Sequence, residues 1–381
     1  MKKHYSVVIV GAGSVGMATG CYLAKKGIDT LLIEAFDPPH GRGSHHGETR
    51  LIRHATGEGG HYVSLVLRAQ QLWKQLEEEV GQMLFIPSGT LMVGEDDAPF
   101  IKETVKSATE HSLSLERMRA NEIQKRWPGF SIPEHLVGYF ESSSGALLNE
   151  QCILAYKQLG LTYNMSLKNN TKVESIDFST SGVAVKTTNE TVYADKVVIC
   201  AGAWTGKLLS SLRLPLQPMR KTLGWFEANS KNYEHPLLPC FYFNVENQKY
   251  YGFPNITGGG VKVGRNDSER ETDPDAMSQD FGKYLNDEGD LRNFLEKFLP
   301  GAAGKLIKGS SCMITKTPDK DFIIDQHPGF SHVMIAGGFS GHGFKYSSVL
   351  GEVLSEIIIH GQTIHDISMF SISRPALATV R

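Results

Sequence analysis

The chain has 381 residues, about 2.5 times the ~150 that serve one domain, so two domains with sizeable cores are expected. Its 39 lysines and arginines against 41 aspartates and glutamates give a net charge of −2, which excludes the basic excess of a nucleic-acid-binding surface. With 40% apolar and 21% charged residues the chain is globular rather than disordered. No apolar run approaches the ~20 residues of a membrane span. Val7 to Val10 is cut by Gly11 and Gly13 with no cleavage pattern after it, unlike a signal peptide. Five scattered cysteines without a CxxC pair point to reduced, cytoplasmic usage, with no metal site and no disulfide frame.

Tyr5 to Val10 is a β-branched run that predicts a buried strand, Ser14 to Lys26 a helix closed by Gly27, and Thr30 to Glu34 a second strand. This is a βαβ unit of ~30 residues. Residues 36–60, with Pro38-Pro39, six glycines and four histidines, read as loop. A helix follows from Tyr62 to Val80, then strands within 83–94 about a turn at Pro87-Ser88-Gly89, and helices at Phe100 to His111, Asn121 to Arg126 and Gln151 to Gln158. Val183 to Lys186 and Thr191 to Tyr193 suggest a hairpin, and Lys196 to Cys200 a separate buried strand. The stretch from Leu216 to Val263 is strand-rich. Helices are expected at Met277 to Leu285 and Leu291 to Leu299, and strands at Lys305 to Lys316, Asp321 to Ile324 and His332 to Ala336. The last helix, Phe344 to His360, carries an apolar stripe through Val349, Val353 and Ile357.

Gly11-Ala12-Gly13-Ser14-Val15-Gly16 fits GxGxxG. The pattern alone is weak, but here it follows a strand, opens a helix and is followed by Glu34 at the end of the next strand. Gly11 permits the turn, Gly13 a close pyrophosphate, Gly16 helix–strand packing, and the N-terminus of the helix from Ser14 through Val15 favours negative charge. Glu34 is the expected ribose acceptor. The run Lys196 to Trp204, a strand leading into Ala201-Gly202-Ala203, either packs near an extended FAD or is an ordinary βα turn.

Three further segments carry more information: Ser44-His45-His46-Gly47-Glu48-Thr49-Arg50-Leu51-Ile52-Arg53-His54, Gly309-Ser310-Ser311-Cys312-Met313, and Gly338-Phe339-Ser340-Gly341-His342-Gly343-Phe344-Lys345. With the fingerprint and the tail from His365 to Leu377, they closely resemble the monomeric sarcosine oxidase family, which includes N-methyltryptophan oxidase. The resemblance covers essentially the whole chain. It implies an α/β fold in which an FAD-binding Rossmann-type domain (1–85, 145–215 and 318–381) carries a β-rich substrate domain (86–144 and 216–317).

The resemblance also implies site residues. FAD would be attached through its 8α carbon to the sulfur of Cys312, next to Met313. A thiolate is the nucleophile that such a bond requires, and nearby cations favour it; a lone cysteine is otherwise a small buried apolar residue. Arg53 and Lys345 match the pair that holds a substrate carboxylate, one as a planar fork and one as a compact charge; each otherwise reads as an ion-pair partner. His46 and Arg50 match residues near the flavin ring that favour attachment. Lys262 matches a lysine beside flavin N5 that activates oxygen, where a fixed cation stabilises developing superoxide; in isolation a Val-Lys-Val lysine faces solvent. Tyr251 matches an active-site tyrosine. Ser44, His45, Leu51, Val173, Gly202, Trp204, Gly341, Gly343 and Phe344 complete the expected cofactor contacts.

Four positions depart from the family pattern: Asn266 stands for a usual His, Ile314 for a Tyr, Tyr242 for a Met, and Thr56 for a Tyr. A more apolar pocket suits a substrate bulkier than sarcosine, and Asn266, Ile314 and Tyr242 are the expected side-chain determinants. The implied activity is oxidative demethylation of an N-methyl amino acid by a monomer, with dioxygen as acceptor, giving the amino acid, formaldehyde and hydrogen peroxide. The alternatives are the same chemistry on N-methyltryptophan or pipecolate, an NAD-dependent dehydrogenase, and a non-catalytic flavin-binding protein.

Overall fold

The computed structural model describes residues 3–267 and 270–378. Its first layer is an eight-stranded sheet centred on parallel strands Thr30–Ile33, His4–Val10 and Thr191–Ile199. Val7 to Val10 and Leu31 to Ile33 are almost wholly buried, as expected of parallel strands covered on both faces. The helix Ser14–Lys25 packs against Ser347–His360 and Asn149–Thr162. Gly351 faces Ala18 so closely that a Cβ there would stand 2.7 Å from the Ala18 Cβ. A fragment at the end of the chain therefore closes the layer begun by its first strand.

The second layer is a nine-stranded sheet whose longest pairing joins Gln217–Phe226 to Leu306–Lys316, with Lys221 opposite Cys312. The strands Cys240–Val245, Gln248–Phe253 and Val261–Arg265 continue it. Thr90–Gly94 joins Cys240–Val245 in parallel, and Val137–Glu141 pairs with Thr90–Gly94. Phe241, Phe243, Phe294 and Phe298 fill its far face. A small sheet of Thr49–Ile52, Gly145–Leu148 and Phe85–Ile86 lies between the two.

The α/β reading with a parallel dinucleotide sheet and a β-rich partner agrees with this architecture. Four local readings change. The segments Thr191 to Tyr193 and Lys196 to Cys200 are halves of one strand that changes partner: its first half pairs with Gly182–Thr187 and its second with Phe330–Gly337. The polar residues between them mark the exchange rather than a break. The 36–60 loop contains a strand, Thr49–Ile52. The helix expected at Met277 to Leu285 is absent, and the helix there runs Asn286–Phe298. Arg220 takes the Ser278 and Asp280 carbonyls, and Asp287 accepts from the Gly282 and Tyr284 amides, so these groups are diverted from helical bonding. The strands Glu116–Arg119, Val137–Glu141, Ser166–Lys168 and Val173–Ser179 were not anticipated. Glu116–Arg119 is mostly exposed and charged, and it is ordered by pairing with Val137–Glu141. Among the described residues no helix is long and apolar enough to cross a membrane.

Candidate active site

A cavity of about 470 Å³ runs between the layers, lined by residues of both sheets. Its first end is backbone. Gly11 has φ +97° and stands against the Cys200 carbonyl, where a Cβ would meet the oxygen at 2.5 Å. Only glycine reaches that conformation without strain. Gly16 does not line the cavity; a Cβ there would lie 2.0 Å from the Gly11 carbonyl oxygen, so it is the packing glycine of the turn. The helix Ser14–Lys25 has no side-chain cap and no acid in its first turn, leaving its amides open to an anion. Glu34 accepts from the Ala12 amide at 2.8 Å and from the Phe36 amide at 3.2 Å, with His40 Nε2 3.4 Å away. Gly13, Ser14, Val15, His45, Val173, Gly202 and Trp204 share this end. Burial, then the His40 charge, holds His45 down to about 3, so its imidazole is neutral, with Nε2 unpartnered.

The middle is built on the 44–51 loop. Arg50 donates to the carbonyls of Ser44, His46 and Thr49 and so braces its own loop. Asn149 Nδ2 donates to the His45 carbonyl, and Glu150 accepts from the Gly47 amide at 3.0 Å. Ser44, Arg50, Leu51, Cys312 and Met313 line the cavity, as does Tyr251. Cys312 is buried. Burial pushes its thiol up, against the opposing fields of Arg50, Lys221, Lys262 and Arg220, so the expected cationic surround is present but burial prevails. His46 lies outside the lining: its Nε2 stands 3.0 Å from the Ser311 carbonyl, and burial followed by Arg50 lowers it to about 4.

Lys262 lies behind the same loop rather than on the cavity wall. It is 2% exposed, so the solvent-facing alternative is wrong. Its ammonium donates to the Gly47 carbonyl, to the Thr49 carbonyl at 2.7 Å and to Thr49 Oγ1 at 3.0 Å. Burial, then the neighbouring Arg50, lowers it well below the ordinary lysine range.

The far end is side chains. Arg53 is 3% exposed and sits over the rings of Tyr242 (4.9 Å) and Phe100 (5.1 Å), which are stacked on each other. Its guanidinium donates to the Ala55 carbonyl at 3.0 Å and to both oxygens of Glu58 at 2.6 and 2.8 Å. Lys345 is 5% exposed and belongs to a turn held by the Trp73 indole, which donates to its carbonyl at 2.9 Å. Burial lowers the Lys345 ammonium to about 8, with Glu58 opposing and Arg53 adding to the fall. Asn266 and Ile314 flank Gly341 (φ +89°): a Cβ on Gly341 would stand 2.9 Å from Asn266 Oδ1 and 3.0 Å from Ile314 Cδ1. Gly343 and Phe344 line the same turn.

Every anticipated site residue except Gly16, His46 and Lys262 therefore lines one cavity. Sequence reasoning missed Glu58, Phe100 and His342, which line or support its far end. The signal for Glu58 was available: a lone acid between two glycines, five residues after an arginine. Phe100 carried none, since it arrives from a distant helix, Pro99–Glu110.

These features define a dinucleotide-binding redox site, and the FAD dependent oxidoreductase family model matches residues 6–357. The chain belongs to that family. It is 49% identical over 381 residues to monomeric sarcosine oxidase of Bacillus sp. (strain B-0618), covering 99% of this chain and 98% of the relative. It is 38% identical over 371 residues to N-methyl-L-tryptophan oxidase of Yersinia pestis (strain Pestoides F), covering 97% and 99%. In fold it is similar to NikD, an amino acid oxidase of nikkomycin biosynthesis (TM-score 0.87, 22% identity, 97% and 98% covered). It is likewise similar to glycine oxidase from Geobacillus kaustophilus (TM-score 0.82, 20% identity, 98% and 99% covered). The chain is an FAD-dependent oxidoreductase, and the nicotinamide reading of the fingerprint falls away.

Proposed function

We propose that the protein is an oxidase of N-methyl amino acids, consuming dioxygen and water and releasing the demethylated amino acid, formaldehyde and hydrogen peroxide. The observation that carries this reading is the pairing of two buried cations, Arg53 and Lys345, at the far end of a cavity whose other end is a glycine-lined dinucleotide cradle. The cradle fits FAD: bare glycines, open helix amides and the unpartnered His45 Nε2 suit a pyrophosphate, and Cys312 stands midway as the point of attachment. When bound, FAD accepts the electron pair from the substrate and passes it to dioxygen.

The chain's own residues orient and tune. Arg53 offers a fork, and the Lys345 ammonium has no hydrogen-bond acceptor among the described residues, which leaves its donors for a ligand carboxylate. An incoming carboxylate takes the place of Glu58 on Arg53. With both cations beside it and water excluded, the substrate ammonium loses its proton more readily. Tyr251, Tyr242, Asn266 and Ile314 bound the space left for the substrate side chain. Lys262 supplies a fixed charge behind the 46–50 loop for the oxygen step. No general base is required, so orientation and electrostatics carry the rate. We assign residues 1–85, 145–215 and 318–381 to the cofactor domain and 86–144 with 216–317 to the substrate domain, in a cytoplasmic monomer.

The replacement of a histidine and a tyrosine by Asn266 and Ile314 favours a bulkier or cyclic substrate within the same chemistry. Peroxide production from sarcosine, N-methylalanine, N-methyltryptophan and pipecolate tests both. Turnover of none refutes the oxidase reading, and a clear preference for sarcosine refutes the bulkier-substrate form. The Lys262→Met variant is expected to slow reoxidation by oxygen far more than anaerobic bleaching; equal slowing removes Lys262 from that role.

A further inference from the structure

Behind the two cations lies a buried carboxylate that the chemistry above does not use. Glu141, at the end of the strand Val137–Glu141, is 1% exposed. Its oxygens accept from the His54 amide (2.9 and 3.1 Å), the Ala55 amide (3.2 Å), His54 Nδ1 (2.5 Å) and Ser143 Oγ (3.4 Å). The two amides belong to the residues that directly follow Arg53. A carboxylate from the substrate-side sheet thus grips the backbone from which Arg53 projects, and the Ala55 carbonyl of the same turn accepts from Arg53.

We propose that Glu141 is a positioning residue that aims Arg53 and balances the Arg53–Lys345 pair for ligands bearing a carboxylate, an inference that rests on reading those two cations as the carboxylate clamp. In the structure the two buried cations are accompanied by one buried carboxylate, Glu141, and one half-buried carboxylate, Glu58. Glu58 is the exchangeable one, bonded only through its side chain to Arg53. Glu141 is the fixed one, bonded to main chain. When a ligand carboxylate replaces Glu58, Glu141 stays, and the count of charges is kept. The charged and titratable groups around Lys345 are Glu58 and Arg53 from the 53–58 turn, Glu141 from its strand, His342 from the turn before it, and Tyr346, whose ring lies 5.1 Å from the Lys345 ammonium and whose hydroxyl burial holds neutral. Burial holds His342 down to about 4, so it is neutral at physiological pH. Once Glu58 is displaced, Glu141 is the remaining protein carboxylate among these groups and opposes deprotonation of Lys345.

The test uses FAD-loaded enzyme, with propionate and its neutral isostere propionamide titrated against the flavin absorption spectrum. In Glu141→Gln the propionate Kd is expected to rise less than about twofold at pH 7 and about tenfold at pH 9, the equivalent of lowering Lys345 by one pKa unit. The pH at which binding begins to fail moves downward, and propionamide binding is unchanged. A merely structural role would weaken both probes alike and leave that pH in place, and that result overturns the proposal, as does wild-type propionate binding at pH 9. Should E141Q not retain FAD, Glu141→Asp decides, since it keeps the charge and loses reach: weaker propionate with unchanged propionamide supports the proposal, and wild-type propionate binding overturns it. Lys345→Met separates the underlying reading. If it leaves propionate binding intact, the clamp itself fails; if it abolishes binding while E141Q does not weaken it, only the Glu141 inference fails.

Discussion

The two ends of the cavity are built on different principles. The dinucleotide end is made largely of main chain from a few contiguous runs, with a glycine at position 11 where a Cβ would collide. The substrate end is made of charged and aromatic side chains from separate parts of the chain: Arg53 and Glu58, Phe100, Tyr242, Asn266 and Lys345. Shape is the requirement at the first end, so a single methyl group is decisive there. At the second, charge balance is the requirement, and substitutions retune it by degrees.

The sharpest break in that contrast comes from Gly11→Ala. A Cβ at 2.5 Å from the Cys200 carbonyl, at φ +97°, costs roughly 1–3 kcal/mol in backbone strain before the clash is counted. The purified variant is expected to lack FAD altogether, measured as flavin per chain. Next comes Arg53→Met. Truncating one partner of a buried, hydrogen-bonded charge pair with a ligand typically costs up to ~3–5 kcal/mol, so kcat/KM for the preferred N-methyl amino acid should fall by about 10²–10⁴ while flavin content stays near normal; loss of flavin instead would merge the two ends.

A smaller effect is set by pH. Lys345, lowered to about 8 chiefly by burial, is charged below that pH and neutral above it. The propionate Kd, free of any substrate amine, is therefore expected to be flat below pH ~7 and to rise with pH above 8, approaching tenfold per unit. A flat profile through pH 9 removes Lys345 from the clamp. The least change is expected from Glu58→Gln, which removes the internal competitor for Arg53: propionate should bind a few-fold more tightly, as a charge-assisted pair gives way to a weaker neutral one. Weaker binding would mean that Glu58 supports Arg53 rather than competing for it.

The same contrast governs what could be read from sequence. Gly11 to Gly16, Glu34 and the Ala201-Gly202 turn are local patterns whose spacing carries their geometry, and the cavity collects all but Ala12 and Gly16 of them, Gly16 packing behind the turn. Arg53, Lys345 and Cys312 became legible through resemblance to a family, since no spacing rule joins segments some 260–290 residues apart. Glu58 carried a local signal, five residues after Arg53, whereas Glu141 escaped because its partners, the His54 and Ala55 amides, arise from tertiary packing. Lys262 and His46 show a different limit: their neighbourhood was anticipated, but both turn their polar atoms toward loop and strand main chain rather than into the cavity. The helix expected at Met277 to Leu285 failed for a related reason, because a distant guanidinium, Arg220, claims its carbonyls.

The most direct measurement is anaerobic titration of the FAD-loaded enzyme with an N-methyl amino acid and with the matching N-methyl amine that lacks the carboxylate. Bleaching of the chromophore by the amino acid alone, lost in Lys345→Met, is the predicted result. Equal bleaching by both compounds, or by neither, would contradict a redox site organised around a buried carboxylate clamp.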